Sequence, residues 1–170
     1  PYCICIPVIN EGDRIRRQMH ALHQASIPAL ADILIIDGGS TDGSLRHDEL
    51  AAWGVCSLLT KLGPGKLSAQ LRLGYAYALA QGYEGIITVD GNGKDGIDAI
   101  PRFVDTLAAG YDFVQGSRFI TGGEAIRTPA SRYWGIRLVH APLVAAAAGF
   151  PFTDTTNGFR AYSRRFLLDE

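Results

Sequence analysis

Asp90 and Asn92 sit two residues apart in IITVDGNGKDGID (86–98), and both offer hard oxygen atoms. Mg2+ and Mn2+ favour such donors and complete their shells with water and substrate phosphates. Glycines 91, 93 and 96 lay a G-x-G-x-x-G spacing over the same stretch. That spacing raises another reading, a dinucleotide pyrophosphate held by bare backbone at a helix N-terminus. Three features weigh against it. The motif follows the fourth apolar run rather than the first. Asp90 stands directly before the first glycine, where its charge repels a pyrophosphate unless a cation lies between. The next run, 112–117, ends in Gln-Gly-Ser and not in an acid for a ribose. The expectation is a metal–diphosphate site, with glycines 91 and 93 letting a nucleotide approach the backbone. A polar turn with an ordinary loop Asp is the alternative for this stretch taken alone.

A second Asp ends another apolar run, Asp37 in IIDGGSTDGS. A carboxylate there can accept from a base N–H or from ribose hydroxyls. A turn-capping role is the alternative, and Asp42 suits it better. Glu11, after PVIN, adds a third acid to the same edge. Among the cations only positions 61, 66 and 94 are Lys, and after position 115 the cations are all Arg, at 118, 127, 132, 137, 160, 164 and 165. Arginine is the better bidentate partner for phosphate. A net charge of −1 gives no global field for nucleic acid, so none is expected as a partner.

Alternating elements must position these residues. YCICIPVI, DILIID, VCSLLT, GIITVD (85–90) and YDFVQGSR read as strands rich in Ile and Val. Asn10 is placed as the N-cap of a helix carrying Ile15, Met19 and Leu22, and Ser40 or Thr41 as the cap of the next. Leu67, Leu71, Tyr75 and Leu79 form an i, i+4 stripe, and 97–109 and about 131–148 read as further helices. Near-continuous apolar strands between helices predict an α/β fold with a largely parallel sheet. In such sheets ligands sit beyond the carboxyl ends of the strands, where Asn10-Glu11, Asp37, Asp90 and Arg118 fall. Cys3 and Cys5 alternate in one strand and are expected to be buried on one face. Three cysteines without metal spacing suggest reduced thiols in a cytosolic setting. No run reaches the ~18 to 20 apolar residues of a membrane span. The first residues already read as strand, so the chain is expected to be a fragment.

IPVINEGDRI, ILIIDGGSTDGS, GPGKLSAQLRLGYAYAL, IITVDGNGKD, FVQGSRFITGG and DTTNGFRAYSR occur in order, and together resemble the successive motifs of family 2 glycosyltransferases with the type A fold. The likeness is closest to the branch of dolichol-phosphate mannosyltransferase and related polyprenyl-phosphate sugar transferases. It implies a Rossmann-like fold with a mostly parallel central sheet flanked by helices. It further implies one catalytic domain over 1–170, with a nucleotide-sugar half of about 1–117 and an acceptor half of about 118–170. The implied activity is inverting transfer of a hexose from a nucleoside diphosphate sugar in cell-envelope biogenesis. The acceptor would be a polyprenyl (dolichyl) phosphate at the inner face of the membrane. By resemblance Pro7, Asn10, Glu11, Asp37, Lys66 and Lys94 join Asp90 on the nucleotide side. Asp90 and Asn92 match the D-x-D pair that holds Mg2+ or Mn2+. Arg118 and Asn157-Gly158-Phe159-Arg160 match acceptor-side motifs, with Arg127 and Arg132 as further phosphate contacts. Three departures stand out: Gly38 replaces the second Asp of D-D-G-S, Asn92 the second D of D-x-D, and Lys94 a usual Gln.

The resemblance makes Asp90, Arg118, Asp154 and Arg160 the catalytic candidates. A lipid phosphate is already an anion and needs no strong base, whereas a sugar hydroxyl, as in polysaccharide synthesis, needs a carboxylate. Asp154 is the candidate for that base, with a loop-orienting role as its alternative. The four histidines lie outside the matched motifs, and His140, in an apolar helix, is expected in the core. HAPLVAAAAGF is assigned to core packing, with a prenyl chain or membrane as the alternative. TGGEAIRTPAS is a lid or a surface loop. A nucleotidyltransferase and a non-catalytic nucleotide-sugar-binding module are the rivals, and nothing in the sequence speaks to oligomeric state.

Overall fold

The computed structural model describes residues 1–120 and 130–169, without the side chains of residues 130 and 132. Arg127, the side chain of Arg132 and most of the lid segment therefore lie outside the described residues. The chain divides into two compact units, Pro1–Val114 with Phe159–Glu170, and Gln115–Gly158.

The first unit is built on a six-stranded sheet. Its strands are β1 (Tyr2–Val8), β2 (Asp32–Asp37), β3 (Val55–Thr60), β4 (Gly85–Thr88), β5 (Phe113–Gln115) and β6 (Arg160–Ser163), in the order β3-β2-β1-β4-β6-β5. β1 pairs in parallel with β2 and β4, and β2 with β3, while β6 runs antiparallel to β4. Helices α1 (Asp13–Gln24), α2 (His47–Ala52), α3 (Leu67–Ala80), α4 (Ile100–Ala108) and, at the end, α7 (Arg164–Asp169) complete the unit. The mostly parallel α/β sheet predicted from the apolar runs is borne out.

Alternation along β1 sorts its side chains between two cores. Ile4, Ile6 and Val8 join Ile15, Met19 and Leu22 of α1 on one face. Cys3 and Cys5 join Leu34, Ile36 and Ala78 on the other, so the two cysteines are buried on one face as expected. Both faces of the central strands are thus covered, which is why those strands read as continuous apolar runs.

The stripe assigned to α3 is not its buried face. Gln70, Gly74 and Ala78 are buried, whereas Leu67 is 50% exposed. A Cβ on Gly74 would lie 2.9 Å from Ile36 Cγ1, so the missing side chain lets the helix backbone approach the sheet. The caps differ too. Asn10 does not cap α1, which starts at Asp13 after Gly12. Asn10 instead adopts φ 51°, a left-handed conformation Asn tolerates, and its Oδ1 accepts the Thr41 N–H at 2.8 Å. Ser40 and Thr41 do not cap α2, which starts at His47.

In the second unit one helical stretch comprises α5 (Ala130–Gly135), a π-helical turn (Ile136–His140) and α6 (Ala141–Ala148). Core packing for HAPLVAAAAGF (140–150) does not hold for its large side chains: Ala141 is buried, but Leu143 and Phe150 are each more than half exposed, as are Leu138 and Val139 just before the segment. His140 is likewise exposed rather than core, and its Nδ1 hydrogen-bonds the Thr155 hydroxyl. Among the described residues no helix is long and apolar enough to cross a membrane.

Candidate functional site

A cavity of about 460 Å3 opens at the carboxyl ends of the first unit's parallel strands. Pro7, Lys66, Asp90 and Asn92 of the expected residues line it, together with Lys61 and Gln70, which were not anticipated. Lys61 follows β3, and its Nζ donates to the Gly63 carbonyl at 2.7 Å.

The loop that carries Asp90 is held by its neighbours. The Asp90 N–H donates to Asp95 Oδ2 at 2.8 Å, and the Asp90 carbonyl accepts from Gln18 Nε2 at 2.9 Å. Gln18 Oε1 in turn accepts the Gly93 N–H at 3.1 Å, so one buried amide of α1 spans the turn. Asn92 Oδ1 accepts the Lys94 N–H at 3.0 Å. The Asp90 carboxylate itself has no hydrogen bond or ion pair to any described residue. Gly91 lines the cavity, and a Cβ there would sit 2.9 Å from the Pro7 carbonyl oxygen, so packing against β1 by itself requires the glycine. Gly93 has φ 71°, which the turn requires.

These residues fit a divalent cation of the Mg2+ type. Asp90 offers a carboxylate with no competing partner, and Asn92 an oxygen with one lone pair still available. Among the described residues no three His, Cys, Asp or Glu side chains form a metal cluster, so this is no all-protein cage. A donor set of one carboxylate and one amide suits an ion that shares its shell with phosphates.

The other acids on this edge are engaged locally. Asp37 is buried, and its Oδ1 accepts the N–H groups of Gly39 at 3.0 Å and Ser40 at 2.8 Å. Asp42 Oδ2 accepts the Gly12 N–H at 2.8 Å, and the Ser44 hydroxyl on Oδ1 helps hold its carboxyl below the usual range. Glu11 pairs with Arg14 at 3.0 Å. Arg160 opens β6 and lies opposite Thr88 in the register, beside the strand that leads to Asp90. Lys94 is exposed on the loop.

Within the second unit Asp154 is the hub. Its carboxylate is 1% exposed and takes the Arg118 guanidinium in a fork, Nε to Oδ2 at 2.7 Å and Nη2 to Oδ1 at 3.0 Å. Thr156 adds its backbone N–H at 3.2 Å, and its hydroxyl accepts from Arg118 at 2.9 Å. Burial pushes the Asp154 carboxyl up, but the donors and charge of Arg118, with Thr156, outweigh it and hold the carboxyl below its ordinary value. Asn157 Nδ2 donates to the Gly116 carbonyl at 3.0 Å, so this side chain braces its own unit.

Gln18, Gln70 and Lys61 escaped the sequence reading. The two glutamines carried a signal: each is polar on the buried face of a helix, where an unpaired amide would be costly.

A family model described as "Glycosyl transferase family 2" matches residues 3–169. Polyprenol monophosphomannose synthase of Mycolicibacterium smegmatis is 29% identical, the match covering 96% of this chain and 62% of that protein. Glycosyltransferase AglJ of Haloferax volcanii is 30% identical over 98% of this chain and 52% of its own. Undecaprenyl-phosphate mannosyltransferase of Micrococcus luteus is 29% identical, over 92% of this chain and 64% of its own. The chain therefore spans roughly half to two thirds of the length of these relatives. Among solved structures, glucosyl-3-phosphoglycerate synthase from Mycobacterium tuberculosis, in complex with Mn2+, uridine-diphosphate and phosphoglyceric acid, superposes with a TM-score of 0.68 at 20% identity. That match covers 96% of this chain and 56% of that one. It shows the expected type A fold.

Proposed function

The chain belongs to glycosyl transferase family 2, and we propose that it moves a sugar from a nucleoside diphosphate sugar to a polyprenyl phosphate, with inversion. The observation that carries this reading is the Asp90 carboxylate, with no partner among the described residues, in a cavity it shares with Lys61, Lys66 and Asn92.

In the proposed reaction an acceptor phosphate oxygen attacks the anomeric carbon as the bond to the β-phosphate oxygen breaks. The nucleoside diphosphate leaves with the bonding pair, so negative charge grows on its β-phosphate. Asp90 and Asn92 would hold a Mg2+ or Mn2+ ion, which when bound supplies positive charge to the leaving diphosphate. Lys61 and Lys66 would orient the same diphosphate, and the exposed Lys94 would add charge at the loop. Gln18 and Asp95 hold the loop so that the Asp90 carboxylate stays presented to the cavity.

Two further observations support a lipid phosphate as acceptor. Asp154, the acid best placed by sequence to activate a hydroxyl, is buried, ion-paired and held below its ordinary pKa, which makes it a poor base. A phosphate acceptor needs no such base. The exposed apolar side chains at 138, 139, 143 and 150 suit work at a lipid surface, here the inner face of the cytoplasmic membrane. The Micrococcus relative carries a lipid-phosphate mannosyltransferase name. Arg118, braced by Asp154, and Arg160 are the proposed phosphate contacts on the acceptor side.

The test is a transfer assay with labelled UDP-, GDP-, CDP- and dTDP-sugars and a short polyprenyl phosphate, followed by solvent extraction. Label in the lipid phase, in a mono-phosphodiester of inverted anomeric configuration, is the expected result. Nucleotide binding without any labelled lipid, or transfer only to sugar hydroxyls, would refute it.

A further inference from the structure

Gln70 carries a signature that the proposed chemistry leaves unused. It lies on α3, is 4% exposed, and lines the cavity that holds Asp90. Its Nε2 donates to the Val8 carbonyl at 2.9 Å and to the Ile36 carbonyl at 2.8 Å. Both amide hydrogens are thus spent on the ends of β1 and β2. Those bonds also fix the amide's direction, because a flipped group would set Oε1 against two carbonyl oxygens. Oε1 accepts from none of the described residues. An acceptor held in one orientation at a cavity wall, with no partner among the described residues, is open to a donor from outside the chain.

Its position narrows the donor. A Cβ on Gly38 would lie 2.9 Å from Gln70 Nε2 and 3.2 Å from Oε1, so the amide fills the room that a side chain at 38 would use. Position 38 directly follows Asp37, whose own Oδ1 is turned to the N–H groups of Gly39 and Ser40. Asp37 does not line the cavity, so beside the end of β2 the side-chain acceptor on its wall is the Gln70 amide. It is neutral, so it takes up a neutral N–H or O–H group without adding negative charge near the diphosphate.

We infer that Gln70 reads the nucleoside end of the donor, its Oε1 accepting a hydrogen from the base or from a ribose hydroxyl. This role rests on the nucleotide-sugar reading of the cavity. A side chain at 38 would press on the Gln70 amide, so this chain places an amide where an acid at 38 would otherwise reach.

The test is titration calorimetry with Mn2+ present, using UDP, GDP, CDP, dTDP and inorganic pyrophosphate, which lacks a nucleoside. In Gln70→Ala the affinity for the best nucleotide falls about five- to tenfold, while that for pyrophosphate is unchanged. Gly38→Ala, which pushes on the amide and leaves Gln70 in place, does the same and serves if Gln70→Ala does not fold. Gly38→Asp in the Gln70→Ala background regains nucleotide affinity, because the acid then has room. Equal losses for nucleotide and pyrophosphate would reduce Gln70 to a clamp between strands and overturn the inference, as would no loss at all. A folded wild-type protein that prefers no nucleotide over pyrophosphate would instead sink the nucleotide-sugar reading itself. Base-N-methylated and deoxyribose analogues separate the two sources. The analogue that lacks the contacted hydrogen weakens binding to the wild type and costs Gln70→Ala nothing further.

Discussion

Asp154→Asn perturbs the hub of the second unit with almost no change of shape. The wild-type carboxylate is buried and accepts from Arg118 Nε, Nη2 and backbone N, and from the Thr156 N–H. The amide keeps one acceptor oxygen, loses the charge, and turns an N–H2 towards the guanidinium. Removing one partner of a buried pair costs about 3–5 kcal/mol, and the retained hydrogen bonds place this change near 3 kcal/mol. At this chain length that is a fall of about 6–12 °C in melting temperature. The chain's two tryptophans fall one in each unit, Trp53 in the first and Trp134 in the second. Fluorescence in a Trp53→Phe background therefore follows the unit that contains Asp154. The pH dependence has a definite sign. A carboxyl whose folded pKa is depressed contributes stability that is fully present above its unfolded pKa, about 3.9, and is lost as pH falls through the lower folded value. The gap between wild type and Asp154→Asn is thus constant near neutrality and closes below about pH 4. A Trp134 transition shifted by less than about 1 °C at pH 7, or a gap that widens on acidification, would refute the assignment.

Three other perturbations report on separate parts of the structure. Asp90→Asn lowers turnover by about 100-fold or more in the transfer assay while leaving the melting temperature nearly unchanged, because none of the described residues bonds to that carboxylate. Gly91→Ala drives a Cβ to 2.9 Å from the Pro7 carbonyl oxygen, and should cost about 1–3 kcal/mol in urea denaturation. A thiol reagent should titrate one cysteine in the native protein and three after unfolding. Cys56 is exposed, whereas Cys3 is buried and its thiol is pushed far up by the hydrogen bond with Cys5 and by burial.

The parts of the fold legible in the sequence were those decided by local pattern. Period-2 burial placed Cys3 and Cys5 together, and short β-branched runs marked the strands. What escaped depended on contacts between distant segments. The buried face of α3 follows from Gly74 lying against Ile36, and an apolar stripe cannot report the close approach of a glycine. Asn10 looks like a cap by type and position, yet the loop thirty residues on claims its side chain. HAPLVAAAAGF has the same composition whether it packs in a core or lies exposed, so only the structure distinguishes the two. Asp154 reads as an available acid until Arg118, 36 residues away in sequence, is seen to occupy it.

The candidate site yields to the same distinction between local and distant partners. Three acids on one sheet edge read as equivalent invitations to a cation, but they are not equivalent. Asp37 closes its own turn and Glu11 meets Arg14. The loop around Asp90 is satisfied by other means: Gln18 of α1 takes one carbonyl and one N–H, and Asp95 takes another N–H. The Gln18 amide and the Asp95 carboxylate thus do at this loop what the Asp37 carboxylate does for the turn after β2. The consequence is chemical. A loop that required the Asp90 carboxylate for its own backbone could offer a metal only a shared and weakened ligand. A loop braced from α1 leaves the whole carboxylate to the cavity. Gln18→Leu should therefore reduce turnover and metal affinity together while Asp90 remains in place. A variant that loses turnover but binds Mn2+ as the wild type does would show that Gln18 acts elsewhere.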